Sequence, residues 1–165
     1  LFRNLGRKQF EDASAQSGPA LQRPVVARGA AYGDYDNDGD LDIAITVNNG
    51  PARLYRNDGG NRANMLRLKL VGTASNRDGI GARVEVSLGG GRSMWQIVKT
   101  GSSYASQSEL PLTFGLGRAV GVDRIRVAWP SGRLDVIGAL PANQVVTIKE
   151  GMGIAQATPL AVRSR

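Results

Sequence analysis

Apolar and polar residues alternate along Met65-Leu66-Arg67-Leu68-Lys69-Leu70-Val71, the period of two required by a strand with one buried face. The same texture returns in short runs at 81–88, 93–99, 112–116, 122–129, 134–137 and 144–149. Gly89-Gly90-Gly91, Gly117, Pro130-Ser131-Gly132 and Pro141 separate these runs. Seven short strands at this spacing predict a β-sandwich or barrel over residues 63–150. No stretch carries a helical period. Residues 151–165, small and unpatterned, are expected to form a flexible tail.

Residues 1–62 are organised differently. Leu1-Phe2-Arg3-Asn4 recurs as Leu54-Tyr55-Arg56-Asn57, each copy followed by a Gly-containing turn. This spacing is that of stacked supersecondary units such as propeller blades. Strands are expected at 25–32, 41–47 and 52–56, with Asn48-Asn49-Gly50-Pro51 as a turn and 11–24 as a loop. The first unit is the end of one repeat and the second a complete one, so the chain reads as a fragment that begins part-way through an array. The 1–12 segment is expected to add to the neighbouring blade, because a lone blade leaves its sheet edges unpaired.

Composition narrows the chemistry. The 165 residues include 22 Gly, which suits an all-β chain rich in turns, and neither Cys nor His. Without Cys there is no disulfide, structural zinc or thiol nucleophile, and without His the commonest general base is missing. Hard-cation binding by carboxylates stays open. The net charge of +7 is uneven, because five of the 14 acids fall within residues 34–42. The remaining surface is strongly basic, but its arginines are dispersed at alternating strand positions, as in Arg124-Ile125-Arg126-Val127. That is the pattern of a solvated sheet face rather than of a nucleic-acid interface.

The acidic stretch reads Gly33-Asp34-Tyr35-Asp36-Asn37-Asp38-Gly39-Asp40-Leu41-Asp42. Asp34, Asp36 and Asp38 stand at positions 1, 3 and 5 of a coiling loop, and Gly39 at position 6 permits the sharp bend. Asp40 offers its carbonyl at position 7, and Asp42 closes the shell at position 9. Six to eight hard oxygen donors suit Ca²⁺ better than Mg²⁺. An EF-hand would need Glu at position 12, where Ile45 stands, and helices on both sides. The flank Ile43-Ala44-Ile45-Thr46-Val47 is instead β-branched and apolar.

Other candidates are weaker. Trp129 and Trp95 either pack in the core or offer a sugar platform. The polar run Gly101-Ser102-Ser103-Tyr104-Ala105-Ser106-Gln107-Ser108 either binds a ligand or satisfies its own backbone. With no His, a Ser102 or Ser103 pair with Lys99 is the one nucleophilic arrangement open. Leu88-Gly89-Gly90-Gly91-Arg92 lacks the Gly-Lys-Ser/Thr ending of a phosphate loop and reads as a hairpin turn.

The Asp-x-Asp-x-Asp-Gly-x-x-Asp loop between two strands, followed by Leu54-Tyr55-Arg56-Asn57-Asp58-Gly59, resembles the FG-GAP/VCBS repeat. That resemblance implies one propeller blade with Ca²⁺ in a hairpin loop. The remainder resembles the ASPIC/UnbV domain, which follows such repeats in secreted bacterial proteins. The matching pieces are Asn76-Arg77-Asp78-Gly79-Ile80-Gly81-Ala82-Arg83-Val84, the Ser-rich run above, Phe114-Gly115-Leu116-Gly117, and Val127-Ala128-Trp129-Pro130-Ser131-Gly132-Arg133.

The expectation is therefore an all-β protein with one partial blade packed on a seven-stranded β-sandwich. Its calcium is held by Asp34, Asp36, Asp38, Asp40 and Asp42, and no catalytic residues are expected. The function expected is that of a secreted or cell-surface binding or adhesion module, not an enzyme and without a membrane span. Its ligand would be an extracellular protein or a glycan, and the remaining blades of a longer chain would be its neighbours. The alternative is a carbohydrate-binding module using Trp129 or Trp95.

Overall fold

Period-two alternation becomes strand almost everywhere it occurs. The structure, a computed structural model, describes residues 1–160 and contains no α-helix among them. The first strands are β1 (Phe2–Gly6), β2 (Gln9–Asp12), β3 (Ala27–Gly33), β4 (Asp42–Val47) and β5 (Arg53–Tyr55). They are followed by β6 (Asn64–Val71), β7 (Arg83–Leu88), β8 (Arg92–Ile97), β9 (Leu112–Gly117) and β10 (Gly121–Val122). The last are β11 (Arg124–Ala128), β12 (Leu134–Ile137), β13 (Leu140–Pro141), β14 (Gln144–Lys149) and β15 (Gly153–Pro159).

Two four-stranded sheets, ordered β12-β11-β7-β8 and β15-β14-β6-β9, share one hydrophobic core. Leu66, Leu68 and Leu70 of β6 meet Val84 and Val86 of β7, Phe114 of β9, Ile125 and Val127 of β11, and Val146 and Ile148 of β14. Side chains of this kind stabilise a fold by about 1.5–3 kcal/mol each when fully buried. Most neighbouring strands run antiparallel, but β6 and β14 are parallel, with Leu68 opposite Val146.

The tail corrects the sequence expectation. Gly153–Pro159 is not a frayed end but β15, paired antiparallel with β14 from Gln144↔Pro159 to Lys149↔Gly153. Its side chains are nearly all exposed, so its order comes from backbone hydrogen bonds and not from apolar burial. It makes the two sheets eight strands where seven were expected. Residues 161–165 lie outside the described residues.

The N-terminal region holds a three-stranded antiparallel sheet, β3-β4-β5, and a separate hairpin, β1-β2. The 1–12 segment thus pairs with itself and does not add to the neighbouring sheet. Its turn uses Arg7 (φ 47°) and Lys8 (φ 63°), both left-handed, as a tight hairpin requires. The loop expected at 11–24 carries two short 3-10 turns, Ser14–Gln16 and Pro19–Gln22.

A carboxylate fastens three loops of the larger unit. Glu150, just past β14 and 2% exposed, accepts backbone N–H groups from Thr73, Ala74 and Ser75 at 2.8, 2.9 and 2.8 Å. The hydroxyls of Ser75 (2.9 Å) and Ser131 donate to its other oxygen. These donors outweigh the effect of burial and hold the Glu150 carboxyl down at about 2.

Candidate metal centre

The acidic loop bridges β3 and β4, whose ends meet at the pair Gly33↔Asp42. Gly39 (φ 97°) supplies the bend at which an L side chain would be strained, and Asn37 (φ 57°) also takes the left-handed conformation. The coil turns carboxylates inward. Asp34, Asp36 and Asp42 each offer one oxygen, and these atoms all lie within 4.8 Å of one another.

Backbone donors set the orientation of each group. Asp42, 1% exposed, accepts the N–H of Asn57 at 2.8 Å and of Tyr35 at 3.2 Å. Asp34 accepts the N–H of Asp38 at 3.0 Å and of Gly39 at 3.2 Å. Asp38 and Asp40 are buried as well, but they lie outside the three-oxygen group. Asp38 accepts the N–H of Asp40 at 3.2 Å, and Asp40 accepts that of Gly60 at 3.0 Å. The second of these ties the loop to the turn after β5.

The floor of the loop belongs to the other half of the chain. Arg67 of β6 points away from the Leu66–Leu68–Leu70 face and is buried beneath the loop. It donates to Asp34 Oδ2 at 3.3 Å and also to Glu109. Glu109 Oε2 further accepts the Asp34 N–H at 3.2 Å. Backbone bonds extend the junction: the Glu109 N–H donates to the Tyr32 carbonyl at 3.0 Å, and the Tyr32 N–H to Ser108 Oγ at 3.2 Å. Sequence reading missed Arg67 and Glu109. Arg67 looks like any outward residue of an alternating strand, and its partners are remote in sequence.

The electrostatics favour a cation. Burial pushes the Asp34 carboxyl up, against the pull of the Arg67 guanidinium and the Gly39 and Asp38 N–H groups. Two like unit charges 4 Å apart repel by about 4 kcal/mol at an effective dielectric of about 20. One arginine serves both Asp34 and Glu109, so two carboxylates share a single guanidinium and negative charge remains beside Asp36 and Asp42. The donor set fits a hard divalent ion, being all oxygen, with no nitrogen or sulfur ligand.

The remaining candidates separate. Trp129 is 4% exposed, and its Nε1 donates to Asp135 at 2.8 Å, which rules it out as a sugar platform. Trp95 is 58% exposed. In the Ser-rich run, Ser102 and Ser108 share a hydroxyl hydrogen bond of 2.7 Å, and Ser106 donates to the Tyr104 carbonyl at 2.9 Å. Among the described residues no hydrogen bond joins Lys99 to Ser102 or Ser103. No helix among them is long and apolar enough to cross a membrane.

The chain is 27% identical over 139 residues to Cartilage acidic protein 1 of Mus musculus, a match that covers 81% of this chain and 21% of the mouse protein. The chain thus spans about a fifth of the length of that relative. Residues 72–155, half of the chain, match the family described as ASPIC and UnbV. They run from the Glu150-binding loop into the start of β15, and the chain belongs to the ASPIC and UnbV family.

Proposed function

We propose that this chain is a calcium-binding module of an extracellular protein. In this reading Asp34, Asp36 and Asp42 supply carboxylate ligands, and Asp38 and Asp40 shape the loop or complete the shell. The observation that carries it is the convergence of three carboxylate oxygens within 4.8 Å on a hairpin tip whose floor is Arg67 of another sheet, paired with Glu109 from the loop before β9. An ion there offsets the repulsion within the loop, while Arg67 ties that loop to β6. Its role is structural: it holds the recognition surfaces in one arrangement.

In the same reading β3-β4-β5 is a blade of the FG-GAP/VCBS kind, and the two four-stranded sheets form a β-sandwich. Support for the blade comes from the filled Asp motif and from exposed apolar residues, Leu54 of β5 and Leu1 beside it. Such residues fit the flank of a neighbouring blade. The sandwich reading rests on the single core that the two sheets share. Binding is favoured over catalysis, because the chain has no His or Cys and its Ser-rich run satisfies itself.

The test is thermal unfolding of the wild type and of Asp36→Asn/Asp42→Asn, with Ca²⁺ and with chelator. Calcium at 100 times its dissociation constant is expected to stabilise the wild type by about 2.7 kcal/mol. The double variant is expected to show no such shift. A wild type that melts identically in calcium and in chelator removes the calcium reading.

A further inference from the structure

Strand alternation turns one face of the β12-β11-β7-β8 sheet away from the core. The register sets Val136, Arg126, Glu85 and Trp95 in one row across the four strands. Leu134, Ala128, Arg83 and Ile97 form the next row. Arg124 stands beside the first row, opposite Ser87. All of these are exposed except Glu85 and Ser87, which are half-buried. The Arg83 guanidinium stacks on the Trp95 ring, with Cζ 4.8 Å from its centroid. That contact lies over one face of the indole, and the residue is still 58% exposed. Among the described residues, Arg83, Arg124 and Arg126 form no ion pair with a carboxylate.

The face therefore combines an indole with aliphatic flanks, three arginines and one half-buried carboxylate. A complementary ligand needs an apolar surface, negative charge and hydrogen-bond donors together. The C–H face of a pyranose packs on an indole, and its carboxylate or sulfate groups pair with guanidinium in two-point geometry. Sugar hydroxyls donate to Glu85. A nucleic-acid strand sets a phosphate at every residue and has few hydroxyls to donate to Glu85, and polyglutamate brings no ring face to Trp95. We propose that this face binds an acidic polysaccharide, with Trp95 as the stacking platform and Arg83, Arg124 and Arg126 as the anion-pairing groups. It lies on a different sheet from Arg67 and the acidic loop, and does not depend on calcium binding there.

The test is affinity electrophoresis of the 165-residue chain in gels containing one of four polymers. Carboxymethyl dextran and dextran share a backbone and differ in charge, while poly-L-glutamate and polyuridylate carry charge without the acidic sugar. Retardation is expected with carboxymethyl dextran and not with dextran, with weaker effects from the other two polyanions. Trp95→Ala and Arg126→Ala are each expected to weaken that retardation about tenfold. Both positions are exposed, and an unchanged melting midpoint shows that the variants are folded. Equal retardation by poly-L-glutamate or polyuridylate would overturn the proposal, as would wild-type affinity in Trp95→Ala.

Discussion

Arg67 Nη1 lies 3.3 Å from Asp34 Oδ2, while the same guanidinium also holds Glu109, so a single buried cation joins the acidic loop to the β6–β9 side of the molecule. Its side chain and that of Asp34 are nearly inaccessible to water. Removing one partner of a buried ion pair strands the other, at about 3–5 kcal/mol. Arg67→Met is expected to destabilise the chelated protein by about that much in urea unfolding. Calcium is expected to stabilise the variant more than the wild type, because metal and guanidinium share the charge of Asp34. An equal calcium increment in both proteins would show that Arg67 and the cation act independently.

Glu150 sets an acid limit. Its carboxyl titrates at about 2 in the folded protein against 4.5 without these partners. The unfolded chain therefore binds the extra proton between those values, so stability is fully present above pH 4.5 and falls as pH drops towards about 2. Asp135, lowered by the Gly151 N–H, Arg133 and Trp129 against its burial, acts in the same direction. Urea unfolding across this range is expected to show a shallower pH dependence in Glu150→Gln than in the wild type. The variant is also expected to be less stable at neutral pH, since a neutral amide replaces the charge that accepts those N–H groups.

Trp129 is a structural tryptophan whose indole N–H is committed to Asp135. Trp129→Phe keeps most of the apolar volume and leaves Asp135 without that donor. The expected loss is about 1–3 kcal/mol in chemical denaturation. Retardation by carboxymethyl dextran is expected to be unchanged, which separates this residue from Trp95.

Gly72 begins the loop that supplies N–H groups to Glu150. A Cβ there would collide with the carbonyl oxygen of Asn76, a backbone atom that cannot swing aside. Gly72→Ala is expected to lose about 1–3 kcal/mol or more. It should also raise hydrogen exchange at the Thr73, Ala74 and Ser75 amides, and protection equal to the wild type would show that the loop absorbs the methyl group.

The legible parts of this chain are those in which side-chain pattern and backbone structure coincide. Leu66, Leu68 and Leu70 announce β6, and Asn48-Asn49-Gly50-Pro51 announces the turn before β5. The acidic loop was legible because alternation of Asp with a Gly at the bend has few other uses. Three things were hidden. β15 carries no apolar period, because its order comes from backbone pairing with β14. β2 follows a turn made by Arg7 and Lys8, which adopt a conformation usually given to Gly or Asn. Arg67, Glu109 and Glu150 are placed by contacts between distant segments, which spacing along the chain does not encode.

The parallel pairing of β6 with β14 bears on the order in which the chain can assemble. β6 is made before both of its hydrogen-bonded neighbours, β9 and β14. Pairings between distant segments raise contact order and slow folding. The β3–β4 hairpin with its acidic tip is local and can form first, without Glu109 beneath it. Until β14 arrives, the central strand β6 stands with one edge open, the condition in which a nascent chain is most exposed to intermolecular pairing.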